Sequence, residues 1–401
     1  MMDLYLQFGY HMKSLCIELI ERWGGGTVIL SPRDLNPDQL RRAAKEVVDA
    51  GGNTHVDPQL YDPRADHKTL QSHEYFPKAY STDMVTDGAS LRRWLQSLQR
   101  LNDSARTSSY ILPGRYGSQI TADWLAYHDR IVDEAAAILR DKPRLATICL
   151  SEETLRSEEQ VEDILAAAEE WDVAGYYVVA EHPRGKYLVD HPAWLANLLF
   201  LCSGLKLHER QVVVGYCNHQ MLCLAAAHVD AIASGSWINV RSFSTRRFNQ
   251  PAVSDISQRA VWYYCPQALS EYKIAFLDFA AQRGILEYIM ADPDLGSDYA
   301  GVLFAGALPS STAYDEGLSF RHYLQCLRAQ TCATVRSSFR ETLDAQYRML
   351  ETAEQTLMFL REYGIRGQDR DFADVVDVNR AALNYLEESR GFQLSMQWEH
   401  L

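Results

Sequence analysis

Residues 144–180, RLATICLSEETLRSEEQVEDILAAAEEWDVAGYYVVA, read as strand, helix and strand in a single unit. RLATICL (144–150) and GYYVVA (175–180) are short runs of apolar, β-branched and aromatic residues, and an acidic amphipathic helix over Glu158–Trp171 separates them. Runs that stay apolar instead of alternating belong to strands covered on both faces, which is the condition of a parallel sheet. The same alternation continues in both directions. TVILS (27–31) leads to a helix from Pro37 to Ala50, with Asn36 as N-cap, Pro37 at the first helical position and Gly51–Gly52 ending it. NTHVD (53–57) and SYIL (109–112) follow, the latter leading to a helix over Thr121–Arg140. A helix over Pro192–Leu205, the strand VVVG (212–215), a helix around His219–Ala227 and the strand DAIAS (230–234) complete the series. Seven strands, with an eighth expected within Tyr75–Thr86, predict an α/β fold: a (β/α)8 TIM-type barrel over about residues 25–250, inside a domain spanning 1–260. No GxGxxG or GxxxxGK[ST] loop follows any strand, which argues against dinucleotide and P-loop folds. Beyond Trp262 long helical stretches, Phe320–Tyr363 and Phe372–Glu388, predict a mainly helical C-terminal region over 261–401.

With 401 residues, 47% hydrophobic and 23% charged, the chain has the composition of a globular protein and not of a disordered one. It contains no apolar run of the roughly 20 residues that a membrane span needs, and MMDLYLQFGYHMK does not open like a secretion signal. The eight cysteines are scattered and read as reduced, buried thiols of a cytoplasmic protein. Cys217-x-His219-x3-Cys223 lacks the paired ligands of a structural zinc site, so no metal is expected. Lys and Arg number 39 against 53 Asp and Glu, a net charge of −14, so any nucleic-acid contact must use a local basic face. RSFSTRRF (241–248), with Arg241, Arg246 and Arg247 interleaved with two phenylalanines, is the candidate for that backbone contact; an ordinary surface loop is the alternative. The loop PRADHKTLQSH (63–73), carrying Arg64, Asp66, His67 and His73, is a candidate substrate-facing loop.

Barrel enzymes place their chemistry at the C-terminal ends of the strands. The polar residues there are Ser31, Arg33 and Asp34; Asp57, Gln59 and Tyr61; Arg115 and Tyr116; Ser151 and Glu152; Glu181 and His182; Tyr216 and Asn218; and Ser234 with Ser236. Asp57 and Glu181 are the candidate catalytic pair, since each directly follows an apolar run with no helix N-terminus behind it to explain the acid. Converging carboxylates suit cleavage through a cationic transition state. Some of the other acids can instead cap helices or pair with arginines.

The stretches RSEEQVEDILAAAEEWDVAGYYVVAEHP (156–183), VVVGYCNHQMLCLAAAHVDAIASGSW (212–237) and TVILSPRDLNPDQL…NTHVDPQLY (27–61) resemble the strands and helices of the tRNA-guanine transglycosylase superfamily. Two departures stand out. The family's nucleophilic Asp on the last strand matches Ala233 here, or Ser234 one register along, and the family's CxCxxC cluster is absent. The resemblance therefore implies the DNA-acting branch, similar to phage-defence DNA glycosylases that excise glucosylated hydroxymethylcytosine without a cofactor. It implies base flipping, with Tyr61, Tyr116 and Tyr216 stacking on the base. Arg33, Asp34, Gln59, Arg115, Ser151, Glu152, His182, Asn218 and Ser234 would then bind base and sugar. Base exchange, and a non-catalytic nucleic-acid-binding subunit, are the alternatives that the empty nucleophile position leaves open.

Overall fold

The computed structural model describes residues 1–62, 66–77, 87–248, 260–295 and 297–401. Nine parallel strands form its main sheet: β1 (Asp3–Gln7), β2 (Thr27–Leu30), β3 (Asn53–Val56), β4 (Tyr110–Ile111), β5 (Tyr116–Gly117), β6 (Arg144–Leu150), β7 (Gly175–Ala180), β8 (Gln211–Val214) and β9 (Ala231–Ser234). Their spatial order is β3-β2-β1-β9-β8-β7-β6-β4, with β5 also on β6, so β4 and β5 are two pieces of one stave. Ser108 N–H donates to Thr54 O (3.0 Å) and Tyr116 N–H to Tyr61 O (2.9 Å), which brings the two edges of the sheet together. The result is an eight-stave (β/α)8 barrel in sequential order. The break between β4 and β5 falls at Pro113, which has no N–H to give, and Gly114. The backbone at Gly114 runs so close to β6 that a Cβ there would lie 2.7 Å from Thr147 O.

The eighth stave comes from outside Tyr75–Pro77, the described part of the Tyr75–Thr86 region where one was expected. Tyr75–Pro77 form no strand, residues 78–86 lie outside the described residues, and the missing stave is β1 at the start of the chain. The barrel therefore begins at residue 3, not 25. β1 joins first and last units, pairing Leu6 with Val28 on one side and Asp3–Leu6 with Ala231–Ser234 on the other. Elsewhere the expected elements form where the residues dictate. Asn36 and Gln39 make a reciprocal capping box, with Gln39 N–H to Asn36 Oδ1 at 2.9 Å and Asn36 N–H to Gln39 Oε1 at 3.0 Å, ahead of helix Pro37–Asp49. His219–Ala227, expected as an α-helix, is instead a fully buried 3₁₀ segment. At about 2.0 Å per residue it reaches further than an α-helix of equal length, which suits so short a return from β8 to β9.

The C-terminal region, expected to be mainly helical, opens on an antiparallel hairpin, β10 (Trp262–Cys265) with β11 (Ser270–Lys273). Three long helices follow: Glu316–Thr334, Phe339–Glu362 and Val376–Gln397. The first breaks the expected Phe320–Tyr363 stretch, because Ser338 caps a new helix by accepting from Glu341 N–H. Helix Pro192–Leu207 is apolar all round and packs along Val376–Gln397, so the appendage covers a barrel helix that could not face water. Hydrophobic side chains of barrel and appendage belong to one continuous core. No helix among the described residues is long and apolar enough to cross a membrane.

Candidate active site

The strands run parallel, so the residues after β3 and β7 stand at one end of the barrel, and Asp57 and Glu181 share that mouth. Asp57 is fully buried. Its carboxylate lies in a shell of donors: Tyr61 OH is 2.7 Å from both oxygens, Gln59 N–H is 3.0 Å from Oδ1, and the hydroxyls of Tyr216 and Tyr177 approach Oδ2 at 2.9 and 3.4 Å. Burial pushes the Asp57 carboxyl up to about 6, against the pull of these donors. Burial and the Asp57 charge raise the three phenols well above their ordinary range, so they remain protonated donors.

The shell is held by strained backbone. Gln59 (φ 54°) and Tyr216 (φ 56°) both occupy the left-handed region, at a cost of roughly 1–3 kcal/mol each, and such strain concentrates at functional sites. Gln59 ties three loops together: its amide nitrogen donates to Ser31 Oγ (2.9 Å) and Tyr216 OH (3.2 Å), and its oxygen accepts from Arg33 N–H (2.8 Å). Two members lay hidden within strands. Tyr177, inside β7, also reaches Gln7 Oε1 at 3.1 Å, and the buried Gln7 Nε2 has no hydrogen-bond partner among the described residues. The polar Gln7 closing an apolar DLYLQ run is the signal that could have found it. A close approach by Gly215 completes the packing, since a Cβ there would stand 2.4 Å from Tyr177 OH. Gly215→Ala is therefore expected to push that hydroxyl off Asp57 and destabilise the fold by about 1–3 kcal/mol. Urea denaturation checks this, and an unchanged midpoint would contradict the contact.

The segment 241–248 crosses the mouth as a cover. The Phe243 ring packs edge-on against Tyr61 (5.1 Å) and Tyr216 (5.2 Å), and Phe248 against Tyr61 (5.3 Å). Phe243 also forms a parallel bridge with Glu181, its carbonyl accepting from His182 N–H at 3.4 Å. Beneath the cover remains a crevice of about 10 Å³, room for one water, lined among others by Asp34, Gln59, Tyr216, Asn239 and Arg247. Glu181 is less enclosed. Burial raises its carboxyl, a short hydrogen bond from Tyr116 OH opposes that, and Glu153 adds to the rise.

The other candidates divide. Arg33 and Asp34 stand at the crevice: Arg33 pairs with Asp34 (3.1 Å) and its Nε donates to Arg247 O (2.5 Å), while Ser31 Oγ donates to Asp34 (2.7 Å). Burial raises the Asp34 carboxyl against Arg33 and Ser31. Arg115 turns outward to Asp123 (2.8 Å) and lies over the Tyr127 ring. Ser151 accepts from Thr154 N–H (3.0 Å), and Glu152 pairs with Arg156 (2.8 Å) and accepts from Arg184 N–H (3.0 Å). Both brace a turn. His182 is buried beside the carbonyls of Lys186 and Tyr187, with burial lowering its ring to about 4, so it is neutral. Asn218 donates to Tyr187 O (2.6 Å) and caps the 3₁₀ segment. Ser234 is buried in β9, and Ala233 beside it supplies no nucleophile.

The arginines of the cover do not act as a set. Arg246 is exposed. Arg247 is largely buried, and burial together with Arg33 lowers its guanidinium to about 10. Arg241 corrects the expectation of a backbone contact: it is 2% exposed, pairs with Glu271 (3.4 Å), donates to Gly235 O (2.6 Å) and stacks 3.4 Å from the Tyr323 ring centre. A guanidinium so enclosed is a strut and cannot meet phosphate. In the 63–73 loop, His73 is buried against the carbonyls of Pro32 and Leu35, and His67 N–H donates to Phe248 O. Arg64 lies outside the described residues.

No family model and no curated protein matches the sequence. Among solved structures, the chain is similar to the carboxyl transferase domain of Rhizobium etli pyruvate carboxylase (11% identity, 99% of this chain and 61% of that one, TM-score 0.38). It is also similar to an N-acetylneuraminate lyase from Mycoplasma synoviae (12% identity, 58% and 68%, TM-score 0.32). A third is a dihydrodipicolinate synthase from Acinetobacter baumannii (8% identity, 61% and 70%, TM-score 0.33).

Proposed function

We propose that the chain is an N-glycosidase that flips a modified base out of DNA and hydrolyses its bond to the sugar, leaving an abasic site. The observation that carries this reading is Asp57: a fully buried carboxylate at a barrel mouth, lifted to about 6 and held by three tyrosine hydroxyls. Near neutral pH it is largely ionised, and in a site closed to water its charge opposes the oxocarbenium-like charge that grows on the sugar. Glu181, with its carboxyl raised, supplies the second group: it donates a proton to the base as the glycosidic bond breaks, and water then adds to the sugar C1′ and gives its proton back to the Glu181 carboxylate. The cover must lift to admit a nucleotide, because Phe243 and Phe248 occupy the space above Tyr61 where a base would stack. Anti-phage defence, with glucosylated hydroxymethylcytosine as the excised base, is the substrate class that the sequence resemblance implies.

The test is to incubate the protein with unmodified and hypermodified phage DNA and assay freed bases by mass spectrometry and abasic sites by strand cleavage. Freed base with abasic sites is expected on modified DNA. A new base found in the DNA would mean exchange, and binding with no freed base would mean a non-catalytic subunit. Neutralising exposed Arg246 is expected to lower the salt dependence of duplex binding by about 0.9 log–log units, one phosphate contact, with base release preserved at low salt. An identical slope would remove Arg246 from the interface.

A further inference from the structure

A cleft of about 900 Å³ opens beside the mouth, between the end of the barrel and the β10–β11 hairpin, and it shares Asn239 and Arg247 with the crevice under the 241–248 cover. Its lining departs from the rest of this acidic chain. Arg247, Lys273 and Arg370 line it beside Glu316 and the buried Arg241–Glu271 pair, on a protein of net charge −14. Glu271 is already neutralised by Arg241 (3.4 Å) and Arg370 (2.6 Å), while Lys273 makes no ion pair with a described residue. The half-buried Trp262 has the Arg370 guanidinium 4.0 Å and the Lys273 ammonium 5.3 Å from its ring. Trp237 and Phe320 pack edge to face at 4.9 Å in the same lining.

We infer that this cleft binds a single-stranded stretch of nucleic acid, the nucleotides next to the one drawn into the mouth. The inference rests on the proposed nucleic-acid substrate and adds where the neighbouring strand runs. Aromatic rings among cations are what unpaired nucleotides require, since bases stack on the rings and phosphates meet the charges. Volume alone would also suit a small anionic ligand, but the cleft lies beside the mouth, walled by the same Asn239 and Arg247 that line the crevice under the cover, as the path of a strand feeding a base to the mouth must. A net-acidic chain repels a polyanion elsewhere, so a local cationic groove is where a strand can settle.

Binding of a fluorophore-labelled oligothymidylate, followed by anisotropy across a salt series, tests this without any chemistry. Trp262→Ala is expected to weaken binding roughly ten- to a hundredfold through lost stacking. Lys273→Gln, a milder change that keeps most of the side chain's length, is expected to lower the slope of log K against log salt by about 0.7, the value of one single-strand phosphate contact. If wild type does not bind the oligonucleotide, or both variants bind it as wild type does while remaining folded by circular dichroism, the inference is overturned. Wild-type base release alongside unchanged variant binding would overturn the cleft alone. Variant binding losses in a protein that frees no base would support the cleft and sink the glycosidase.

Discussion

Asp57→Asn is expected to slow base release by about a hundred- to ten-thousandfold, the usual worth of a group that handles charge or protons in the transition state, with DNA binding retained. Asn keeps the shape but removes the charge. A second readout separates chemistry from folding. The Asp57 carboxyl is raised from its ordinary value to about 6 in the folded protein, so the native state holds this proton more tightly than the unfolded chain. The resulting stabilisation is complete below about pH 4 and is lost as pH rises through about 6, amounting to about 3 kcal/mol. Asn cannot titrate, so the variant's stability should lack that decline between pH 4 and 6 in urea titrations. Base release at the wild-type rate, with the decline intact, would mean that neither the charge nor the titration belongs to Asp57.

The sequence carries the barrel because its strands are buried on both faces. RLATICL, GYYVVA and VVVG are almost wholly apolar, the mark of parallel strands covered on both faces, and their number and spacing point to a closed barrel. β1 escapes the pattern because DLYLQ has polar residues at both ends of a five-residue run. Asp57 was legible as an acid directly after a strand. Its partners were only partly so: Tyr61, Gln59 and Tyr216 follow strands, but Tyr177 and Gln7 point inward from within them, and strand-end reasoning does not reach such positions. At Arg115, Ser151, Glu152 and Asn218 the same reasoning meets side chains that also have local partners, at turns, helix ends and neighbouring charges. Arg241 shows the further limit. Three arginines close in sequence look like one basic face, yet Glu271, about thirty residues further on, pulls one of them into the interior. Long-range pairing of that kind leaves no mark on a local pattern.

That buried pair sets the second large effect, expected from Glu271→Gln. Glu271 is 3% exposed and accepts from Tyr187 OH (2.7 Å) and Arg370 (2.6 Å), with Arg241 at 3.4 Å. Burial alone would raise its carboxyl, but Arg370, Arg241 and His219 outweigh burial and pull it down to about 2. The stabilisation therefore has the opposite sense to that of Asp57: present above the ordinary glutamate range, and lost as pH falls through about 2. Gln leaves two enclosed guanidinium groups without a counter-charge, and removing one partner of a buried ion pair costs about 3–5 kcal/mol. The variant should unfold at correspondingly lower urea and lose part of the acid-induced destabilisation that wild type shows below pH 4.5. Because Arg241 anchors the start of the 241–248 cover to the hairpin, the cover should also loosen, seen as faster amide exchange at Phe243 and Phe248. A variant as stable as wild type, with its cover equally protected, would show that the Arg241–Glu271–Arg370 cluster does not hold the mouth shut. If the prediction holds, the C-terminal region is part of the site's architecture, since through Glu271 it keeps Phe243 seated over the tyrosines that surround Asp57.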